Sequence, residues 1–138
     1  MEPDPAVLEG LAAAFFDDGP ERSYYYDRDT ERMVSVAEDH DDQATLEIIW
    51  RLEADTRNRF VPVPKPRLEE TLDEQDAFLE ALPPGPLRKR LEKLIEDDPD
   101  GSKVALLLVR NRELRPEWRR FRAERARVQA REFLRRLE

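Results

Sequence analysis

Trp118, Arg122 and Arg125 stand at helical spacing near the C-terminal end of the chain, and their types are the ones best suited to specific chemistry. Two guanidiniums one turn apart can grip a phosphate or a carboxylate, and an indole beside them can stack on a planar group. Arg127 and Arg131, with Arg120 and Arg135, form a second row that would track a nucleic-acid backbone. Each pattern has a plainer counterpart. Arg122 and Arg125 fall inside the apolar arc of Trp118, Phe121, Ala126, Val128, Ala130, Phe133 and Leu137, where a charge must be paired or snorkelled. We weigh an internal salt bridge, to carboxylates near Asp27 or Asp76, above a ligand site. Glu117, Glu124 and Glu132 interrupt the outer row at spacings that make intrahelical ion pairs, so a solvated helix face is the weightier reading there.

Other candidates are weaker. Glu38-Asp-His-Asp-Asp42 holds the sole histidine but lacks the alternating ligands and glycine of a calcium loop, and reads as a solvated loop capping the next helix. Asp27-Arg-Asp-Thr-Glu31 has Arg32 where such a loop needs glycine, and reads as a hairpin turn. The chain has no cysteine, which excludes disulfides, thiolate metal sites and a thiol nucleophile. It contains no phosphate-cradling glycine loop and no serine nucleophile with its base. Catalysis is disfavoured and neither cofactor nor metal is expected, although a carboxylate-dependent hydrolase of phosphorylated ligands stays open as a third reading.

The elements that must position these residues follow from periodicity. Pro5–Phe16 carries apolar residues at three- and four-residue spacing and predicts a helix. Ser23–Tyr26 and Arg32–Val36 predict a hairpin, with Tyr24 and Tyr26 on one face as candidate partner-binding residues. Gln43–Ala54 predicts a helix capped by Asp41 or Asp42, with a strand as the alternative its β-branched content keeps open. Phe60-Val-Pro-Val-Pro-Lys-Pro66 is forced to be extended and can serve only as a sheet edge. Helices are then expected from about Leu68 to Leu82, from Pro86 to about Asp97, and from Pro116 to about Leu137; the apolar run Val104–Val109 reads as helix or buried strand, with helix favoured because Ser102 can cap it.

Charge is distributed unevenly. Residues 1–48 hold 14 acids against 3 Lys or Arg, residues 49–100 hold 13 against 9, and residues 101–138 hold 5 against 12. A net charge of −8 disfavours a whole-surface nucleic-acid or acidic-membrane binder. The opening Met1-Glu-Pro-Asp-Pro is acidic where a signal peptide would be basic, and no apolar run approaches a membrane span. The expectation is a cytoplasmic protein of 138 residues in one domain, with residues 1–20 as a mobile N-terminal helix and 115–137 as a long basic helix.

Four stretches together carry a resemblance. Ser23-Tyr-Tyr-Tyr-Asp-Arg-Asp-Thr, Arg59-Phe-Val-Pro-Val-Pro64, Asp76-Ala-Phe-Leu-Glu-Ala-Leu82, and Trp118-Arg-Arg-Phe-Arg-Ala-Glu-Arg-Ala126 with Ala130-Arg-Glu-Phe-Leu134 resemble Uncharacterised Protein Family zero-one-five-eight of the UPF series, small bacterial proteins. The match departs from the family pattern where Glu31 replaces a glycine, and again before Val104–Val109. The resemblance implies an α-rich cytoplasmic protein and no assigned activity. The fold class is therefore α+β, mostly α: about five helices, one hairpin and a proline-rich extended segment. The leading functional reading is a non-enzymatic module that binds another protein through the Tyr24–Tyr26 hairpin, the Phe60–Pro66 segment or a helix face. The alternative is a nucleic-acid or nucleotide-phosphate binder through Trp118, Arg122, Arg125, Arg127 and Arg131.

Overall fold

Proline and aspartate set the first boundary in the computed structural model, which describes residues 4–17, 19, 21–37 and 42–137. Asp4 caps helix α1 (Pro5–Phe16) by accepting from the Ala6 N–H at 2.8 Å, and Pro5 fits the first turn, where its missing donor is not needed. Strands β1 (Arg22–Asp27) and β2 (Arg32–Ala37) pair antiparallel, with Tyr25 opposite Val34. The turn between them puts Glu31 at φ 57°, the left-handed conformation that a glycine would adopt without strain. Strand β3 (Phe60–Pro62) pairs with the other side of β1, giving the order β2-β1-β3. The prolines thus stand at a sheet edge, where a missing N–H costs no ladder bond.

Asp42 caps α2 (Gln43–Glu53), accepting from the Thr45 N–H at 2.6 Å. The other residues of the acidic histidine-containing stretch, 38–41, lie outside the described residues. Then come α3 (Leu68–Ala81), α4 (Pro86–Glu96), α5 (Ser102–Arg110) and α6 (Leu114–Arg136), which makes six helices among the described residues, the mostly-α fold expected. Two starts differ from expectation. Ser102 does not cap α5: the buried Asp98 carboxylate accepts from Lys103 and Val104 N–H at 3.2 and 2.9 Å, while Ser102 donates its hydroxyl to Asp100. Helix α6 begins before Pro116 because the Asn111 side chain accepts from Glu113 and Leu114 N–H at 2.9 and 3.1 Å.

The chain groups into two compact units, Met1–Lys65 with Ala123–Glu138, and Pro66–Arg122. In the first, Leu8, Leu11, Ala12, Ala14, Val63, Ala126 and Ala130 form the core, with Tyr24, Met33 and Phe133 packed against it. Phe133 meets Phe15 and Tyr26 edge to face at 5.9 and 6.1 Å. The core of the second is Phe78, Leu91, Val104, Leu108, Leu114 and Trp118. Gly101 is required there. It sits at φ 73°, and a Cβ would come within 2.8 Å of Gln75 Oε1 and 2.9 Å of Leu72 Cδ2.

Candidate functional site

Arg59 is placed by its own loop. Asp55 accepts from the Arg57 and Arg59 N–H groups at 3.2 and 3.1 Å and from the Phe60 N–H at 2.9 Å, and Asn58 takes a left-handed φ of 54°. Short side-chain acceptors favour such turns, and asparagine tolerates positive φ better than most residues. The Arg59 carbonyl then accepts from Arg28 N–H at 2.9 Å, which locks the loop to the hairpin. Strand register sets Asp27 opposite Phe60. The guanidinium consequently meets Asp27 as a fork: Nε donates to Oδ1 at 2.8 Å and Nη2 donates to Oδ2 at 2.9 Å.

Asp27 is only 4% exposed, so it needs these partners. Its carboxyl is held well below the usual carboxylate range, first by the Arg59 hydrogen bonds against an opposing desolvation cost, then by Thr30 and the Asp29 N–H. Asp27 in turn raises the Arg59 pKa. Asp29 lies 3.4 Å from Arg59 Nε, and the guanidinium carbon sits 4.9 Å from the Phe60 ring centroid. With Nε and Nη2 occupied, the Nη1 edge of Arg59 has no hydrogen-bond acceptor among the described residues.

Beside this fork is a pocket of about 320 Å³. Asp27, Arg59 and Phe60 form one part of its lining; Met33, Val34 and Ser35 of β2 form a second, and Ile48 and Arg51 of α2 a third. Register places Asp27, Val34 and Phe60 on one sheet face, opposite the one that carries Tyr24, Tyr26 and Met33. Arg51 is exposed and makes no ion pair among the described residues. The Ser35 hydroxyl accepts from Arg22 Nη1 at 3.2 Å. Among the described residues the lining holds two guanidiniums and one carboxylate, alongside apolar surface from Val34, Ile48 and Phe60. Asp29, just outside it, also meets Arg59, so Arg51 is the lining cation that meets no carboxylate among the described residues. That arrangement suits a ligand with an anionic group and an apolar body.

The residues picked from sequence lie elsewhere. Trp118 is 8% exposed, edge-on to Phe78 at 5.1 Å and stacked on Phe121 at 6.1 Å. Arg122 donates from Nε to Glu74 Oε1 at 3.2 Å with both side chains half-buried, two residues from the anticipated Asp76. Arg125 is half-buried one turn further on and is also engaged. Arg127 bonds Glu9 at 3.1 Å and Glu124 at 2.8 Å, while Arg131 is exposed. Trp118 and Arg122 belong to the second unit; Arg125, Arg127 and Arg131 belong to the first. Tyr24 and Tyr26 do come together on one face. Tyr24 donates to Asp17 Oδ2 at 2.6 Å beneath Lys65 Nζ, which is 5.3 Å from its ring centroid, and Tyr26 is buried against Phe133.

The sequence alone did not single out Arg51, Arg59 or Ser35 as lining this pocket, and pointed to Phe60 only as the first residue of the Phe60–Pro66 segment. A signal existed for Arg59: its block and the Ser23–Thr30 block are two of the four that carry the family resemblance, and Asp27–Arg59 joins them. Among the described residues no three histidine, aspartate or glutamate side chains gather as a metal site would need, and no helix is long and apolar enough to cross a membrane. No curated protein and no solved structure matches this chain. The model of the Uncharacterised protein family (UPF0158) matches residues 5–138, and the chain belongs to that family.

Proposed function

We propose that the chain is a non-enzymatic protein-binding module, working in the bacterial cytoplasm, whose acceptor is the pocket lined by Arg51, Arg59 and Phe60. It takes an aspartate or glutamate side chain from a partner protein, with the neighbouring apolar residues of that partner covering Val34 and Ile48. The observation that carries this reading is the state of Arg59. Asp27 fixes one edge of the guanidinium in a fork, so the Nη1 edge is already oriented and loses little freedom on meeting a second carboxylate. Arg51 adds a second cation at the pocket, and the chain's acidic remainder disfavours acidic partners that approach anywhere else.

The nucleic-acid alternative is less well supported, because Arg120, Arg127 and Arg135 on α6 each meet a glutamate within their own helix. Isothermal titration tests the protein-binding reading with two capped heptapeptides of valine and threonine, one with a central glutamate and one with glutamine. Glutamate should bind at least about tenfold more tightly, a difference worth ~1.4 kcal/mol. Arg51→Glu should remove that preference. Equal affinity for the two peptides in the unsubstituted protein would discard the pocket as a carboxylate acceptor.

A further inference from the structure

Strand β2 is the outermost strand of the sheet on the pocket side, and no further strand pairs with it among the described residues. The direction of its outer backbone groups follows from the ladder. Tyr24 accepts from Val63 N–H at 2.9 Å, so the even-numbered residues of β1 point their backbone groups at β3 and the odd-numbered ones at β2. Tyr25 pairs with Val34 and Ser23 with Val36, so Val34 and Val36 turn inward. Met33 and Ser35 therefore present N–H and C=O groups to the outer edge, and both residues also line the pocket.

The two edges of the sheet are defended differently. Strand β3 is three residues long, ends on Pro62 and is followed by Pro64 and Pro66, which block pairing. Strand β2 has six residues, all in regular pairing with β1, and contains no proline or glycine. An edge of that length without such protection is a template for an added strand.

We infer that β2 accepts an extended segment of a partner protein as a fourth strand, hydrogen-bonded to Met33 and Ser35, with one acidic side chain of that segment reaching Arg51 and Arg59. The inference rests on the carboxylate pocket and adds to it the partner's conformation: main-chain bonds supply affinity, and the acidic side chain fixes register. Charge complementarity selects the occupant. Among the described residues of the lining, Asp27 is the one acid and is already held by Arg59, while Arg51 meets no carboxylate.

Two N-methylated forms of the glutamate heptapeptide separate the possibilities while leaving the protein untouched. In one, methyl groups block alternate N–H groups in the phase that would face β2; in the other, they occupy the opposite phase. Strand addition is expected to show as a loss of affinity of at least about tenfold for one phase and little change for the other. Amide chemical shifts should move at Met33 and Ser35, and Ser35→Pro, which removes an outward N–H, should reproduce the loss. Equal affinity of both methylated forms with the unmethylated peptide, or equal loss in both, overturns strand addition. In that event a persisting preference for glutamate over glutamine leaves the pocket standing. Methyl-phase dependence without a glutamate preference removes the pocket and the register role of its arginines, and absence of any binding at millimolar peptide overturns both.

Discussion

The exposed arginines of helix α6 and the arginine in the loop before β3 find their acids by different routes. Along the surface of α6, Arg120 pairs with Glu117, Arg127 with Glu124 and Arg135 with Glu132, each three residues apart, although Arg127 also reaches Glu9 and the half-buried Arg122 reaches Glu74. Arg59 instead crosses 32 residues of sequence to a carboxylate that is 4% exposed, and is seated by three hydrogen bonds to Asp55. Density of arginine in the sequence is thus a poor guide to where a guanidinium is organised. Helical periodicity hands a surface arginine a local partner, whereas an arginine at a strand end meets a distant acid only through sheet register.

The apolar side chains of α6 should matter far more than its charges. Trp118 fills the core of the second unit beside Phe78 and Phe121. Trp118→Ala should destabilise the protein by ~3–5 kcal/mol through lost burial and the cavity left behind. Urea denaturation followed by circular dichroism would measure this, and a loss below ~1 kcal/mol would contradict the packed position of the ring.

The fork supplies the next effect. Asp27→Ala should cost ~2–3 kcal/mol, because it deletes a buried acceptor of several hydrogen bonds and leaves Arg59 without its anchor. The pH dependence carries a definite sign. The folded Asp27 carboxyl titrates below the usual range, so its contribution is fully present above the unfolded value of ~3.9 and is lost as pH falls toward the folded value. The gap in melting temperature between the parent and Asp27→Ala should therefore narrow on acidification from pH 5 to pH 2, a range chosen to span ~3.9. A constant gap would mean that Asp27 is not the depressed carboxylate. Arg59→Leu should remove the same acid dependence while also abolishing the glutamate preference of the pocket.

The turn that carries Asp27 offers a smaller effect of opposite sign. Glu31 holds φ at 57°, which strains a side chain with a Cβ, and Glu31→Gly should raise stability by ~0.5–1 kcal/mol after the extra entropy of an unfolded glycine is deducted. Differential scanning calorimetry would register a higher melting temperature. A lower one would show that the glutamate side chain contributes more than its backbone strain removes.

Much of the fold was legible because its signals are local. Pro5, Asp42, Pro86 and the alternating prolines after Phe60 mark boundaries through covalent geometry or a neighbour within a few residues. Ser102 misled because its actual substitute, Asp98, reaches back from outside the helix to cap α5. For the site, Arg122 was correctly suspected of an internal partner since a charge within an apolar arc demands one, and Glu74 is that partner. The pocket was not legible. Arg51, Arg59, Ser35 and Phe60 come from three elements, and neither the placement of β3 beside β1 nor of α2 beside β2 has a short-range signature.

The smallest expected effect tests the other side of the contrast. Arg120 is 69% exposed at its side chain and lies 3.3 Å from Glu117, so water and salt screen most of the attraction, and ordering two long side chains offsets part of the rest. Arg120→Ala should change stability by less than ~0.5 kcal/mol, and alanine's higher helix propensity brings the net closer to zero. The same chemical denaturation used for Trp118→Ala would measure it, repeated at low and high salt. A loss above ~1 kcal/mol, or one that survives high salt, would mean that Arg120 is held by more than Glu117. The surface arginines of α6 would then have to be counted as organised groups like Arg59, which would bring them back as candidates for binding.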